Sequence, residues 1–489
     1  MTTVADIVLH GGRVIDPESG LDDIFDVAIS GNRIEVVSPE PLEGRLVLDV
    51  AGKVVAPGFI DLHSHGQAIP EQRLQALDGV TTALDLEAGR SPVSLSYRRA
   101  ASEGRPIHYG YSASWAVSRM RQAGLLAPGE EGALVHIGNA AWQVPRPPGG
   151  LAELLATLRT DLEEGAIGIG ILVGYAQETE PAEYLAVARL ASEASMPTFT
   201  HARDLAEVRP SALIDGAEEI VRAAAETGAH MHYCHVNSTS TRHVERVLEL
   251  VERARRKGAT VTTEAYPYGA GMTSIGASFL APERLAERGL SPSSIRYLPT
   301  GEWVRDAERL NAIRSSDPGA LALVRFLDDE DPGEFSFVRA ALTFPRGVVA
   351  SDAIDFSWPE GEVDPYAWPL PDGVMTHPRS AGNFSRYLRL VRELGLCTLT
   401  EAIARCSLWP AEILEKAAPA LARKGRLRAG CDADIVVFDP ERVTDTATYE
   451  ETTSPSSGIS EVLVDGTFVV REGELVRDAL PGRAITSAL

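Results

Sequence analysis

Lysine is scarce in this 489-residue chain: Lys53, Lys257, Lys416 and Lys424 are the whole set. The 46 basic side chains face 69 acidic ones, for a formal net charge of −23. A nucleic-acid binder or an anionic-membrane binder needs a basic face, so the balance argues against both. It says little about a small substrate, because local charge decides binding there. Cysteine is also sparse. Cys234, Cys397, Cys406 and Cys431 form neither a CxxC pair nor a dense framework, which points to a reducing cytoplasm. No apolar run approaches the ~18 residues of a membrane-spanning helix. The opening MTTVADIVLHGG lacks the basic-then-apolar pattern of a secretory leader. Internal repeats and low-complexity tracts are missing too.

What is present is a change of texture along the chain. Residues 4–56 consist of short β-branched runs separated by turns such as Gly11-Gly12 and Gly31-Asn32. The C-terminal part repeats this, with Ile435-Val436-Val437-Phe438, Val462-Leu463-Val464 and Phe468-Val469-Val470. Two β-rich ends predict one composite β-sandwich domain from residues 1–56 and 420–489. The middle, 57–419, alternates strands with amphipathic helices. Strands are expected at 58–65, 81–87, 107–115, 166–175, 197–203, 230–238, 260–268 and 347–353. In 241–257, Val244, Val247, Leu248 and Val251 keep helical spacing, with Gly258 as the stop. Strand–helix units in this number predict an α/β fold, a (β/α)8 TIM barrel, with its site at the C-terminal ends of the strands. The stretch 271–346 is too long for a plain crossover. It is read as an inserted helical lobe, with mobile loops around Asp328–Gly333 and a possible role as a lid.

The chemistry gathers where those strands end. The first closes on His63-Ser64-His65, and residues two apart on a strand point the same way. Alone, the pair would as readily be two solvent-facing histidines. The second strand closes on Asp85-Leu86-Glu87, the fifth on His201, the sixth carries His232 and His235, and the eighth ends in Ser351-Asp352. Imidazoles and carboxylates converging on one rim suit zinc and related divalent ions.

With these residues in place, the chain resembles the amidohydrolase superfamily. HxH on the first strand, one histidine each on the fifth and sixth, and aspartate on the eighth occur in the right order. The segments APGFIDLHSH, DGVTTALDLEAG, FTHAR, EAYPYGAG, ASDA and HPRSAGNFSR are similar to its N-acyl-D-amino-acid deacylase branch. The resemblance implies hydrolysis of a linear amide in N-acyl-D-amino acids, with N-acyl-D-glutamate as the candidate substrate, one or two zinc ions and a homodimer. His63 and His65 would hold one metal position and His201 and His235 the other, with Asp352 as general base and acid. Tyr266 or Tyr268 would orient the acyl group, or else the YPY segment is a rigid turn with buried rings. Arg379 would pair with the substrate carboxylate, or serve a structural salt bridge.

Three departures from the pattern matter. Many members bridge two metals with a carbamylated lysine on the fourth strand, but AIGIGILVGY contains none. Where typical D-aminoacylases place a cysteine ligand, this chain has Leu86-Glu87-Ala88-Gly89, which makes Glu87 the natural bridging carboxylate. Asn237 stands where a lysine often anchors the substrate carboxylate. His232 remains a rival ligand, and Cys234 reads as a small buried residue. A cyclic-amide hydrolase of the hydantoinase or dihydroorotase kind is the alternative, disfavoured by the missing lysine. A catalytically silent barrel scaffold is the third.

Overall fold

A computed structural model describes residues 4–127, 129–146, 149–359, 361, 364 and 366–487. Residues 1–3 and 488–489, at the outer ends of the two expected terminal segments, lie outside the described residues. Eight strands form one sheet in chain order: β1 (Phe59–Asp61), β2 (Val80–Arg90), β3 (His108–Ser114), β4 (Ile169–Ile171), β5 (Thr198–Thr200), β6 (Met231–Tyr233), β7 (Val261–Ala265) and β8 (Val348–Val349). Every neighbouring pair is parallel. The ring is joined between β8 and β1 by polar contacts. The His65 amide donates to the Ala353 carbonyl at 2.7 Å, and the Ser351 amide to Asp61 Oδ1 at 3.0 Å. The observed architecture is the expected TIM barrel.

Local signals explain the helices. In Gly216–Thr227, the Asp215 carboxylate accepts from the amides of Ala217 and Glu218, and Gly228 closes the helix in the left-handed region. Val244–Arg256 buries Val244, Val247, Leu248 and Val251 against the barrel. Each such side chain contributes roughly 1.5–3 kcal/mol when removed from water.

The two ends of the chain meet in a single hydrogen-bonded sheet of nine strands. Val54–Pro57 pairs antiparallel with Ile435–Phe438 and joins the N-terminal strands to the C-terminal ones. Leu9, Val27, Ile29, Val55, Ile435 and Leu463 share its core. The last described stretch leaves that sheet. The Gly482 amide reaches the Arg105 carbonyl, and Ile485 packs beneath the barrel with Ile60, Leu84 and Phe199.

The inserted segment differs from the expectation of a helical lobe. Its frame is an antiparallel sheet of Ala270–Ser274, Leu321–Arg325, Ile295–Tyr297 and Glu302–Trp303. These strands are two to five residues long, too short to carry a clear alternation. The helix Pro332–Leu342 packs on Val244–Arg256 and on β7, as an ordinary barrel crossover does. The acidic run, expected to be mobile, is tied down. Asp329 accepts from the Gly269 amide and from the Tyr449 hydroxyl, and pairs with Arg386 at 3.1 Å.

Candidate metal centre

His63 and His65 follow β1, and each ring is fixed by its own buried carboxylate. His63 Nδ1 lies 2.5 Å from Glu264 Oε1, and His65 Nδ1 lies 3.0 Å from Asp85 Oδ1. An ionised carboxylate only accepts, so both rings donate from Nδ1 and leave Nε2 as the atom that takes a metal or a proton. Those two Nε2 atoms are 3.1 Å apart. Asp352 Oδ1 sits 3.4 Å from both, and Glu87 Oε2 lies 3.2 Å from His63 Nε2. With the rings neutral, these four atoms are all acceptors. Such a cluster repels itself unless cations occupy it.

Glu87, at the end of β2, reaches in both directions. Its Oε1 lies 3.1 Å from His201 Nδ1 and 2.7 Å from His235 Nε2, while Oε2 faces the other histidine pair. One carboxylate thus stands between the two expected metal positions. Glycines make room for it. A Cβ at Gly170 on β4 would fall 2.3 Å from the Glu87 carbonyl oxygen, and one at Gly174 would fall 2.3 Å from His201 Cδ2. Gly170 thus lets the Glu87 backbone approach β4, and Gly174 just beyond it leaves room for the His201 ring.

Electrostatics follow from this crowding. Burial pushes the Glu87 carboxyl up, but His63, His235 and His201 outweigh it and hold it well below the usual range. Burial also lowers His63 and His65, yet the surrounding carboxylates raise both well above an ordinary imidazole. Burial prevails at His201, which is lowered. Asp352 is held down by Arg379 and His63 against the effect of burial. Arg379 Nη2 pairs with Asp352 Oδ2 at 2.6 Å, and its Nε donates to the Asp352 carbonyl. Asp352 and His235 both have positive φ, 52° and 30°, a strained region for residues with a Cβ and one favoured at sites.

A cavity of about 790 Å3 lies over the centre. Its wall includes His65, Glu87, His201, His235, Asp352, Tyr175, Tyr266 and Arg288, with Gly271–Ser274, Phe279 and Phe326 from the inserted lobe. Tyr266 faces this space, and burial raises its phenol to about 12. Arg379 stacks 4.6 Å over the Tyr266 ring and lies behind the wall. Its Nη1 is buried without a hydrogen-bond partner, and a Cβ at Gly271 would come within 3.5 Å of it.

Three expected site residues lie elsewhere. Tyr268 packs under Arg386, with His377 and Tyr449 at its edges, away from the cavity. Asn237 spends its amide on the carbonyls of Tyr266 and Tyr268, so it shapes the YPY turn from within. His232 turns to Thr262 and Glu264 and takes no place in the centre. The Cys234 thiol is raised well above its ordinary value by burial, which keeps it protonated beside Leu86 and Val348. Sequence reasoning passed over Glu264, the orienting role of Asp85, Tyr175 on His201, and Arg288. Glu264 had one visible signal: a charged residue inside a strand segment otherwise made of small and apolar residues.

The family model described as "Amidohydrolase family" matches residues 46–470. The chain belongs to that family. Its similarity to the N-acyl-D-glutamate deacylase of Alcaligenes xylosoxydans xylosoxydans is 30% identity, covering 95% of this chain and 93% of that protein. The D-aminoacylase of the same organism is 28% identical over 96% and 95%. Among solved structures, the N-acyl-D-glutamate deacylase from Bordetella bronchiseptica, crystallised with zinc and a phosphonate mimic of the tetrahedral intermediate, superposes with a TM-score of 0.75. That pair shares 24% identity and covers 99% of this chain and 100% of that one, a likeness of fold. No helix among the described residues is long and apolar enough to cross a membrane.

Proposed function

We propose that this chain is a zinc-dependent amide hydrolase that removes the acyl group from N-acyl-D-amino acids. The observation that carries it is the convergence of His63 and His65 Nε2 with Glu87 and Asp352 carboxylate oxygens beneath a cavity. Its imidazole and carboxylate chemistry fits zinc. His63 and His65 with Asp352 would hold one ion, His201 and His235 a second, and Glu87 would stand between them. A bound divalent ion supplies polarisation of the amide carbonyl and a water of lowered pKa.

The remaining steps belong to the chain. Asp352 is ionised and held by Arg379 with Oδ1 turned to the centre, placed to take a proton from the attacking water. It returns that proton to the amine as the C–N bond breaks. Tyr266 keeps its proton at neutral pH and donates to the acyl oxygen from the cavity wall. Arg288 pairs with Asp204 and stacks 4.8 Å over Phe279, and its buried Nε has no partner among the described residues. An arginine with a spare donor in the wall favours an acidic side chain, hence N-acyl-D-glutamate over neutral substrates. Arg203, also in the wall, is fully engaged with Glu219. A cyclic-amide hydrolase is the weaker reading, because β4 offers no lysine and no space for one at Gly170. A cytoplasmic location and a homodimer go with the same reading, and sedimentation would check the latter.

The test is amine release from the N-acetyl derivatives of D-glutamate, L-glutamate and D-leucine, with a hydantoin alongside, by zinc-loaded protein. Turnover of the D-glutamate derivative above the others is expected. Turnover of the L form or of the hydantoin alone would overturn the proposal.

A further inference from the structure

Glu264 is fully buried and lies outside the proposed ligand set, yet three partners converge on it. Its Oε1 meets His63 Nδ1 at 2.5 Å and the His235 amide at 3.2 Å, and its Oε2 meets His232 Nε2 at 3.0 Å. One carboxylate therefore fixes the ring of a histidine after β1 and the backbone of a histidine after β6. Those two histidines belong to different halves of the centre. Behind Glu264 the contacts continue in line. His232 Nδ1 lies 2.8 Å from Thr262 Oγ1, and the same oxygen lies 2.9 Å from His230 Nε2. The chain of contacts runs along β6 and β7 from the half-buried His230 to the rim.

We infer that Glu264 is the positioning residue that assembles the two halves of the metal centre, and that His232 and Thr262 act only by holding Glu264. The physical grounds are direct. An acceptor at Nδ1 sets the His63 tautomer that leaves Nε2 free, and outer partners of this kind tune metal affinity. The His232 ring, anchored at its far nitrogen by Thr262, stops the carboxylate from turning away. His232, a rival ligand by sequence, is thus placed one layer behind the centre.

The inference rests on the metal reading above, and its test reads metal binding rather than turnover. Zinc affinity would be measured by competition with a chelator, and the ligand-field spectrum recorded after cobalt substitution. Glu264→Gln keeps the shape but turns a donor toward His63 or His232. Zinc binding about 10- to 100-fold weaker is expected, with a shifted cobalt spectrum. Thr262→Val should give a smaller loss, and the double variant should be no worse than Glu264→Gln alone, because both changes act through one carboxylate. Parental affinity in Glu264→Gln, or losses that simply add, would overturn the inference. If Glu264→Gln does not fold, Thr262→Val against Thr262→Ser decides. Loss with valine and parental affinity with serine supports it, and equal affinity sinks it. A parent protein that takes up no zinc would refute the metal centre itself, a distinct outcome.

Discussion

The two halves of the metal centre are built to different standards. His63 and His65 each have a buried carboxylate on Nδ1, Glu264 and Asp85 respectively, and Asp85 is itself paired with Arg90 at 2.9 Å. His235 Nδ1 has only the Ser238 hydroxyl, at 3.1 Å, and His201 turns its Nδ1 to the shared Glu87. Charge follows the same division, since carboxylates raise His63 and His65 while burial lowers His201. The lesson is that equal ligand types need not make equal sites. The first half is preorganised and anionic, and the second depends on the bridge.

The comparison can be broken in several ways. Asp352→Asn removes the proposed base beside the first half without removing a histidine. A fall of about 10²- to 10⁴-fold in kcat is expected, with metal content retained by elemental analysis. Loss of both together would make Asp352 chiefly a ligand. Asp85→Asn attacks the strong half and should weaken zinc binding by about 10- to 100-fold in a chelator competition. Ser238→Ala, the matching change on the weak half, removes a single neutral contact of about 0.5–1.5 kcal/mol, or roughly 2- to 13-fold. Equal losses in the two variants would erase the distinction between the halves.

Protons sharpen it further. The carboxylates around His63 and His65 favour their protonated forms before metal arrives, and zinc must displace those protons. Their charge–carboxylate contacts stabilise the metal-free fold fully below pH 6.5 and are lost as pH rises through the elevated folded values. Zinc affinity at this half should therefore fall as pH is lowered through neutrality. Burial lowers His201 and so favours its neutral form. Calorimetry in buffers of differing ionisation enthalpy should detect more proton release at the first zinc equivalent than at the second.

Much of this was legible in the residues. The eight barrel segments announced themselves as short buried runs between helices, and the HxH pair stood at the end of one. Glu87 could be singled out because its segment ends in a carboxylate where a thiol is usual. Orientation was not legible. Tyr266 and Tyr268 are two residues apart in one motif, but only Tyr266 faces the cavity, since the turn held by Asn237 sends Tyr268 under Arg386. Arg379 sits behind Asp352 for the same kind of reason: its place is set by the packing of Arg379–Leu394 on the barrel, a long-range fact. The lobe sheet escaped because strands of two to five residues are too short for a period to show.

The proposed bridging residue Glu87, whose backbone carbonyl presses on Gly170, also bears on how the centre is filled. A carbamylated lysine has to capture dissolved carbon dioxide before it can join two ions, so a centre built on it depends on bicarbonate supply. Here β4 carries no lysine, and the close approach of the Glu87 carbonyl leaves no place to graft one. Reconstitution of the stripped protein should need nothing from the air, proceeding as well in degassed buffer as in bicarbonate.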